Sequence, residues 1–308
     1  MKVVIISPGR KDIPVWVSTF KKHHLNIEVE IYPDDTNREE TEFIATWNPP
    51  EDAFEKYPNL KVIASMAAGV KHITSKNIPE NVKVTRVKDE YLNYDLSYFV
   101  LSLVLNHIKH IPLYFKNQLE NNWNRKMYLR PEGVTVGILG FGNIGQAIGQ
   151  LLQKNDFNVI GWSRSEKNVE GIKSYTENEL DSFLNKAEVL VCMLPHTPET
   201  ENILNTELFQ QLPKDAYLIN VGRGAHLNEE DLIPALDSGK LSGAALDVFK
   251  EEPLPENHPF WNHPKIFVTP HTASITNPKT IVPKMLENFK RFKNGENLKD
   301  EVNLEKGY

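Results

Sequence analysis

The chain has 308 residues, enough for two domains that each bury a core of their own. With 40% hydrophobic and 25% charged residues and no apolar run approaching about 18 residues, it reads as a soluble globular protein without a membrane span. A net charge of −6, with Lys and Arg scattered rather than striped, argues against a nucleic-acid partner and favours small-molecule chemistry.

The opening "KVVIIS" reads as a strand, since no small-residue cleavage site follows it as an export signal would require. Through residue 95, short apolar runs ("IEVEIY", "EFIATW", "LKVIASM", "VKVTRV") alternate with amphipathic segments such as "VWVSTFKKHH", the pattern of parallel βαβ units. From Asp95 to Trp123 the pattern turns helical, with Pro112 expected to kink it. This segment reads as a bridge between domains, and its apolar "YFVLSLVL" as a dimer contact as well as core.

A second α/β series runs from Val134 through "FNVIGWSR", "EVLVCMLP", "AYLINVGR", "GAALDVF" and "KIFVTPH". These strands are unbroken apolar runs, as expected where helices cover both faces of a sheet. Within them the single cysteine, Cys192, reads as a buried structural thiol; it rules out a disulfide framework and points to a reducing, cytoplasmic setting. A last helix is expected in "NPKTIVPKMLENFKRFKNG", capped by Asn277, with Pro278 in its first turn and Gly295 as its stop. The polar tail "ENLKDEVNLEKGY" is expected to pack back on the first domain.

The chemistry begins at "VTVGILGFGNIGQAIGQLL", where a strand pattern meets a helix pattern across Gly140, Gly142 and Gly145. Glycines at this spacing aim backbone N–H groups and the positive end of a helix at a pyrophosphate, which places Asn143 and Ile144 beside the cofactor too. At the end of the next strand, an NAD site usually has a carboxylate for the ribose hydroxyls. Here Ser163 and Arg164 stand in that place with Lys167 behind, a set that would bind a 2′-phosphate. NADP is therefore the preferred cofactor, with NAD as the lesser alternative.

Three further stretches, "NVGRG" with Arg223, "EEPLP" with Glu252 and "TPHTASIT" with His271, can converge at strand ends. Reducing a keto acid needs a group to hold its carboxylate, one to polarise its carbonyl and a proton donor; Arg serves the first two and His the third. A carboxylate beside the histidine favours its charged form. No His/Cys spacing supports a metal site.

With these residues in view, the chain resembles the D-isomer-specific 2-hydroxyacid dehydrogenase family. The match runs from "WNPP" and "AAGV" through "GILGFGNIG", "WSR", "LPHTPET", "NVGRG", "ALDSGK", "LDVF", "EEPLP" and "TPHTASIT" to the final "KGY". The resemblance implies that Arg223 binds and polarises the substrate, His271 donates the proton and Glu252 supports His271. It also implies that Ala68 and Gly69 offer backbone N–H groups to the substrate carboxylate, that Trp47 walls the substrate pocket, and that Pro195, Thr200, Val221 and Asp247 line the cofactor.

The expected fold is α/β with two doubly wound domains, a Rossmann dinucleotide-binding domain inserted into a flavodoxin-like substrate domain. Residues 1–96 plus 277–308 would form the substrate domain, and 97–276 the NAD(P)-binding domain with the bridging helix. The expected activity is NAD(P)H-dependent reduction of small 2-oxo acids, glyoxylate or hydroxypyruvate, by a homodimer. The alternatives are a formate- or phosphite-type dehydrogenase and a nucleotide-sensing, corepressor-like interaction protein.

Overall fold

A computed structural model describes residues 1–24, 26–67, 69–87 and 90–303. The chain divides into two compact units, Met1–Leu92 with Ile275–Tyr308, and Asn93–Ser274.

In the first unit, β1 (Lys2–Ile6) leads through α1 (Ile13–His23) to β2 (Glu28–Ile31), followed by β3 (Phe43–Thr46), β4 (Val62–Ser65), α2 (Lys71–Thr74) and β5 (Lys83–Thr85). The strands are parallel in the order β2-β1-β3-β4-β5. All five residues of β1 are buried because both faces of the sheet are covered and successive side chains alternate between them. Val3 and Ile5 pack with Trp16 and Phe20 of α1, while Val4 and Ile6 pack with Phe54 and Tyr57 on the other face. "IEVEIY" is less buried because β2 lies at the sheet edge.

The long helical stretch is two helices, not one kinked helix. α3 (Glu90–Ile108) ends before His110, whose φ of 58° is left-handed, and α4 (Ile111–Leu119) starts afresh with Pro112 in its first turn. Proline lacks the N–H that a continuous helix would need there, whereas a first turn leaves that group unused. Val100, Leu101, Leu103 and Val104 are buried in the second unit's core with Val136 and Ile138. The "YFVLSLVL" stretch thus supplies core, as expected, while Tyr98 at its start stays exposed. Further exposed apolar side chains follow on and after α4, at Phe115, Leu119, Trp123 and Met127.

The second unit continues with β6 (Thr135–Leu139), α5 (Asn143–Lys154), β7 (Asn158–Trp162), β8 (Lys173–Tyr175), α6 (Leu180–Leu184), β9 (Val189–Cys192), α7 (Thr206–Gln211), β10 (Ala216–Asn220), α8 (Glu229–Asp237), β11 (Leu241–Leu246) and β12 (Ile266–Val268). Among the described residues these strands make one parallel sheet in the order β12-β11-β10-β9-β6-β7-β8. Progress across the sheet reverses between β6 and β9, which opens a crevice at the carboxyl ends of those strands. No helix among the described residues is long and apolar enough to cross a membrane.

The chain then returns to the first unit as α9 (Pro278–Lys293). Asn277 caps it by accepting from the Lys279 N–H at 3.0 Å, and Gly295, at φ +69°, takes the left-handed turn just past its end. Ile281, Met285 and Phe289 recur at helical spacing and join Trp16 and Phe20 of α1 in one core.

Candidate active site

The residues singled out in the second unit all follow the carboxyl ends of its strands. Gly140 ends β6 with φ +110°, and a Cβ there would lie 2.6 Å from the Met193 carbonyl carbon. The glycine loop and the segment after β9 therefore touch across the crevice. At Gly145 a Cβ would lie 2.3 Å from the Gly140 carbonyl oxygen, so helix and loop can close only around glycine. Nothing lies within 4 Å of a Cβ on Gly142, and Asn143 beside it is exposed. That open space faces the unpaired N–H groups at the start of α5, which has no side-chain cap, and it fits a pyrophosphate. Ile144 packs partly into the core.

After β7, the Ser163 N–H donates to the Tyr175 carbonyl at 3.1 Å and its hydroxyl to the Ser165 carbonyl at 2.8 Å. Arg164 is exposed, and no carboxylate stands at either position. The Lys167 ammonium donates to the Ser165 hydroxyl at 2.7 Å. The segment after β7 thus carries a hydroxyl at Ser163 and cations at Arg164 and Lys167.

After β9, Pro195 is exposed and its carbonyl accepts the Thr200 hydroxyl at 2.8 Å. Thr200 also accepts the Thr197 N–H at 2.9 Å, so its hydroxyl braces its own loop. Val221, after β10, is buried with Val191 and Ile219.

At the other end of the sheet, Arg223, Glu252 and His271 come together after β10, β11 and β12. Gly224 lets the Arg223 turn press on the next strand's loop: a Cβ would lie 1.9 Å from the Phe249 carbonyl carbon. The Phe249 N–H in turn donates to Glu252 Oε1 at 3.0 Å, and Glu252 Oε2 sits 2.7 Å from His271 Nδ1. His271 has a left-handed φ of 49°, with its N–H held by the Asp247 carbonyl at 2.8 Å.

Asp247 is fully buried, and its carboxylate accepts from the Thr269 hydroxyl at 2.6 Å and from the N–H groups of Thr272 and Ala273 at 2.9 Å each. Its visible work is to lace down the loop that carries His271.

The electrostatics follow from this pairing. The hydrogen bond to Glu252 raises the pKa of His271 above the ordinary histidine value; burial and the nearby Arg223 charge oppose the rise without cancelling it. Burial pushes the Glu252 carboxyl up, but its bonds to His271 and to the Phe249 N–H outweigh that and hold it below the usual carboxylate value. The pairing therefore favours the anionic form of Glu252 and the charged form of His271 over their unpaired states.

In the first unit, Trp47 follows β3 and is 39% exposed, with the His72 ring 6.3 Å away and the Arg10 guanidinium 6.0 Å from its own ring. Gly69 follows β4 in a loop tied by the Ser65 hydroxyl, which donates to the Ala67 carbonyl at 2.7 Å. Ala68 and the final "KGY" lie outside the described residues. The sequence reading did not single out Asn220 and His226, both fully buried beneath the Arg223 turn. An asparagine ending an apolar strand and a histidine at the third turn position were the available signals.

Comparison with known proteins places the chain among dehydrogenases. A family model described as D-isomer specific 2-hydroxyacid dehydrogenase, NAD binding domain, matches residues 101–273. A glyoxylate/hydroxypyruvate reductase A from Photorhabdus laumondii is 35% identical over 96% of this chain and 97% of its own. Among solved structures, a D-isomer specific 2-hydroxyacid dehydrogenase from Xanthobacter autotrophicus, in complex with NADPH and MES, is 36% identical. It has a TM-score of 0.85 over 100% of this chain and 99% of that one. An NADPH-dependent glyoxylate/hydroxypyruvate reductase from Sinorhizobium meliloti, with NADP and sulfate, is 33% identical, with a TM-score of 0.86 over the same shares.

Proposed function

The chain belongs to the D-isomer specific 2-hydroxyacid dehydrogenase family of NAD(P)-dependent oxidoreductases, and on that premise we propose that it reduces small 2-oxo acids, glyoxylate and hydroxypyruvate foremost, with NADPH as the preferred reductant. The observation that carries this reading is the 2.7 Å pair of Glu252 and His271 beside Arg223, on the same sheet edge as the glycine loop. Relatives named as glyoxylate/hydroxypyruvate reductases, and relatives holding NADPH or NADP, support the choice of substrate and cofactor.

The nicotinamide, when bound, supplies a hydride to the keto carbon. Arg223 holds the substrate by charge-assisted hydrogen bonds and draws electron density toward the carbonyl oxygen. His271 has Nδ1–H committed to Glu252, which leaves Nε2–H as its free donor. As hydride arrives, the carbonyl π electrons move to oxygen and that oxygen takes the Nε2 proton, giving the 2-hydroxy acid. Glu252 stays anionic, orients the ring and stabilises its charged form before the transfer. Formate or phosphite oxidation would yield no alkoxide for this pair to protonate.

Residues 140–145 would cradle the pyrophosphate, with Ser163, Arg164 and Lys167 taking the 2′-phosphate. Pro195, Thr200, Val221 and Asp247 would line the remainder of the cofactor, and Trp47, Ala68 and Gly69 would contact the substrate. We read the β2-β1-β3-β4-β5 order as flavodoxin-like and the second unit as a Rossmann domain inserted into it. We further assign the protein to the cytoplasm, as a homodimer that covers the apolar side chains on and after α4. Light scattering at micromolar concentration checks this last point, a monomer mass overturning it.

The central test is steady-state oxidation of NADPH and NADH with glyoxylate, hydroxypyruvate, pyruvate and larger 2-oxo acids. Turnover of the two smallest polar acids, fastest with NADPH, is the expected outcome. An absence of turnover across the panel would leave the nucleotide-sensing reading in its place.

A further inference from the structure

Beneath the Arg223 turn lies a histidine that the reaction itself does not use. We propose that His226 is a positioning residue whose neutral imidazole pins the main chain of Arg223 to the Pro195 loop, so that substrate-binding and cofactor-binding segments are set by one ring. The inference rests on the reading of Arg223 as the substrate-binding residue.

The partners fix the tautomer. His226 Nδ1 lies 3.1 Å from the Arg223 backbone nitrogen, which can only donate, so Nδ1 carries no proton. His226 Nε2 lies 3.3 Å from the Pro195 carbonyl oxygen, which can only accept, so Nε2 carries the hydrogen. The Cys192 sulfur, 3.6 Å from Nδ1, is a second and weaker donor to the same bare nitrogen. Burial pushes that thiol up to about 12, which keeps it an S–H. An imidazolium would set a proton on Nδ1 against the Arg223 N–H, and burial independently lowers the ring's basicity.

The surroundings leave the turn little freedom. Asn220 Nδ2 donates to the Arg223 carbonyl at 3.1 Å, so Asn220 and His226 between them hold both backbone polar groups of Arg223. A Cβ on Gly222 would lie 3.0 Å from His226 Nδ1, so the ring fills the space under the turn. On the other loop, the Pro195 carbonyl accepts from both Thr200 and His226. A shift of either loop would cost one of the ring's two hydrogen bonds, and a displacement of order 1 Å at a positioning group can cost about 100-fold in rate.

Three variants read the two bonds apart. His226→Leu keeps the bulk and removes both; kcat/KM for glyoxylate should fall by about 100-fold, leaving a buried N–H unpaired. In His226→Asn, the amide oxygen stands near the place of Nδ1 and can accept from Arg223, so the KM for the 2-oxo acid should return toward wild type while NADPH affinity stays weakened. In His226→Gln, the longer amide can reach Pro195, so NADPH affinity should return first. Combined with Arg223→Lys, His226→Leu should cost far less than it does alone, because it acts through that arginine.

Equal damage to both affinities in the Asn and Gln variants would overturn the proposal, as would a full additional loss in the double variant. Should His226→Leu fail to fold, the contrast between Asn and Gln still decides. NADPH affinity is read by fluorescence titration without turnover, so failure of the reductase reading is distinguishable from failure of this one.

Discussion

The two ends of the second unit's sheet edge are built on opposite plans. Around β6 and β7 the site is made by leaving side chains out: Gly140 and Gly145 permit contacts a Cβ would forbid, and Gly142 opens onto bare helix N–H groups. Around β10, β11 and β12 it is made by side chains that hold other side chains and the main chain in place. Glu252 holds His271, Asp247 laces down the His271 loop, and Asn220 with His226 holds the Arg223 backbone. A cradle for phosphates needs space and fixed dipoles, whereas proton transfer needs one ring in one orientation and charge state. Damage at the first end should appear in cofactor binding, and damage at the second in turnover.

The largest expected effect tests that division directly. His271→Ala should lower kcat by about two to four decades, the range for a general acid, while NADPH affinity stays within a few-fold of wild type. A variant that lost cofactor binding in equal measure would break the comparison. At the opposite end, Gly145→Ala places a Cβ 2.3 Å from the Gly140 carbonyl, a backbone atom that cannot swing aside. Overpacking of this kind costs about 1–3 kcal/mol, so NADPH affinity should fall by roughly tenfold or more. The chemical step, measured by single turnover at saturating cofactor, should change much less.

The same contrast explains what could be read from sequence. The glycine loop was legible because its function lies in the spacing itself. Arg223, Glu252 and His271 were legible as residue types suited to keto-acid reduction, although 19 residues separate the last two and their meeting at 2.7 Å is a product of the fold. Support residues were not legible. Asp247 was read as facing the cofactor, and its three bonds to the 269–273 loop depend on register between β11 and β12. His226 owes its role to burial and to two backbone partners that no periodicity reveals. The helical stretch around Pro112 was legible as helix but not as two, since a left-handed His110 decides between a kink and a break.

On the proposed reading, Arg164 is the place to test the cradle's own specificity. It is exposed at the strand end where a carboxylate would repel a 2′-phosphate. Arg164→Asp should shift the ratio of kcat/KM for NADPH over NADH toward NADH by about tenfold, the worth of one charge-assisted contact. An unchanged ratio would assign the preference elsewhere.

The smallest effect, and the most diagnostic, is a shift in pH rather than in maximal rate. Glu252→Gln keeps an oxygen able to accept from His271 Nδ1 but removes the charge that raises the histidine's pKa. On the proposed mechanism the acid form of His271 is the donor in reduction, so kcat should be full below its pKa and fall as pH rises through it. Raising that pKa extends activity toward alkaline pH; removing the Glu252 charge should draw the falling limb back toward acid. The gap between variant and wild type should be smallest at acid pH and should widen as pH climbs. For oxidation of the 2-hydroxy acid the neutral ring is the base, so the rising limb should move toward acid as well. If both limbs stay in place while rates drop uniformly, Glu252 positions His271 without setting its charge.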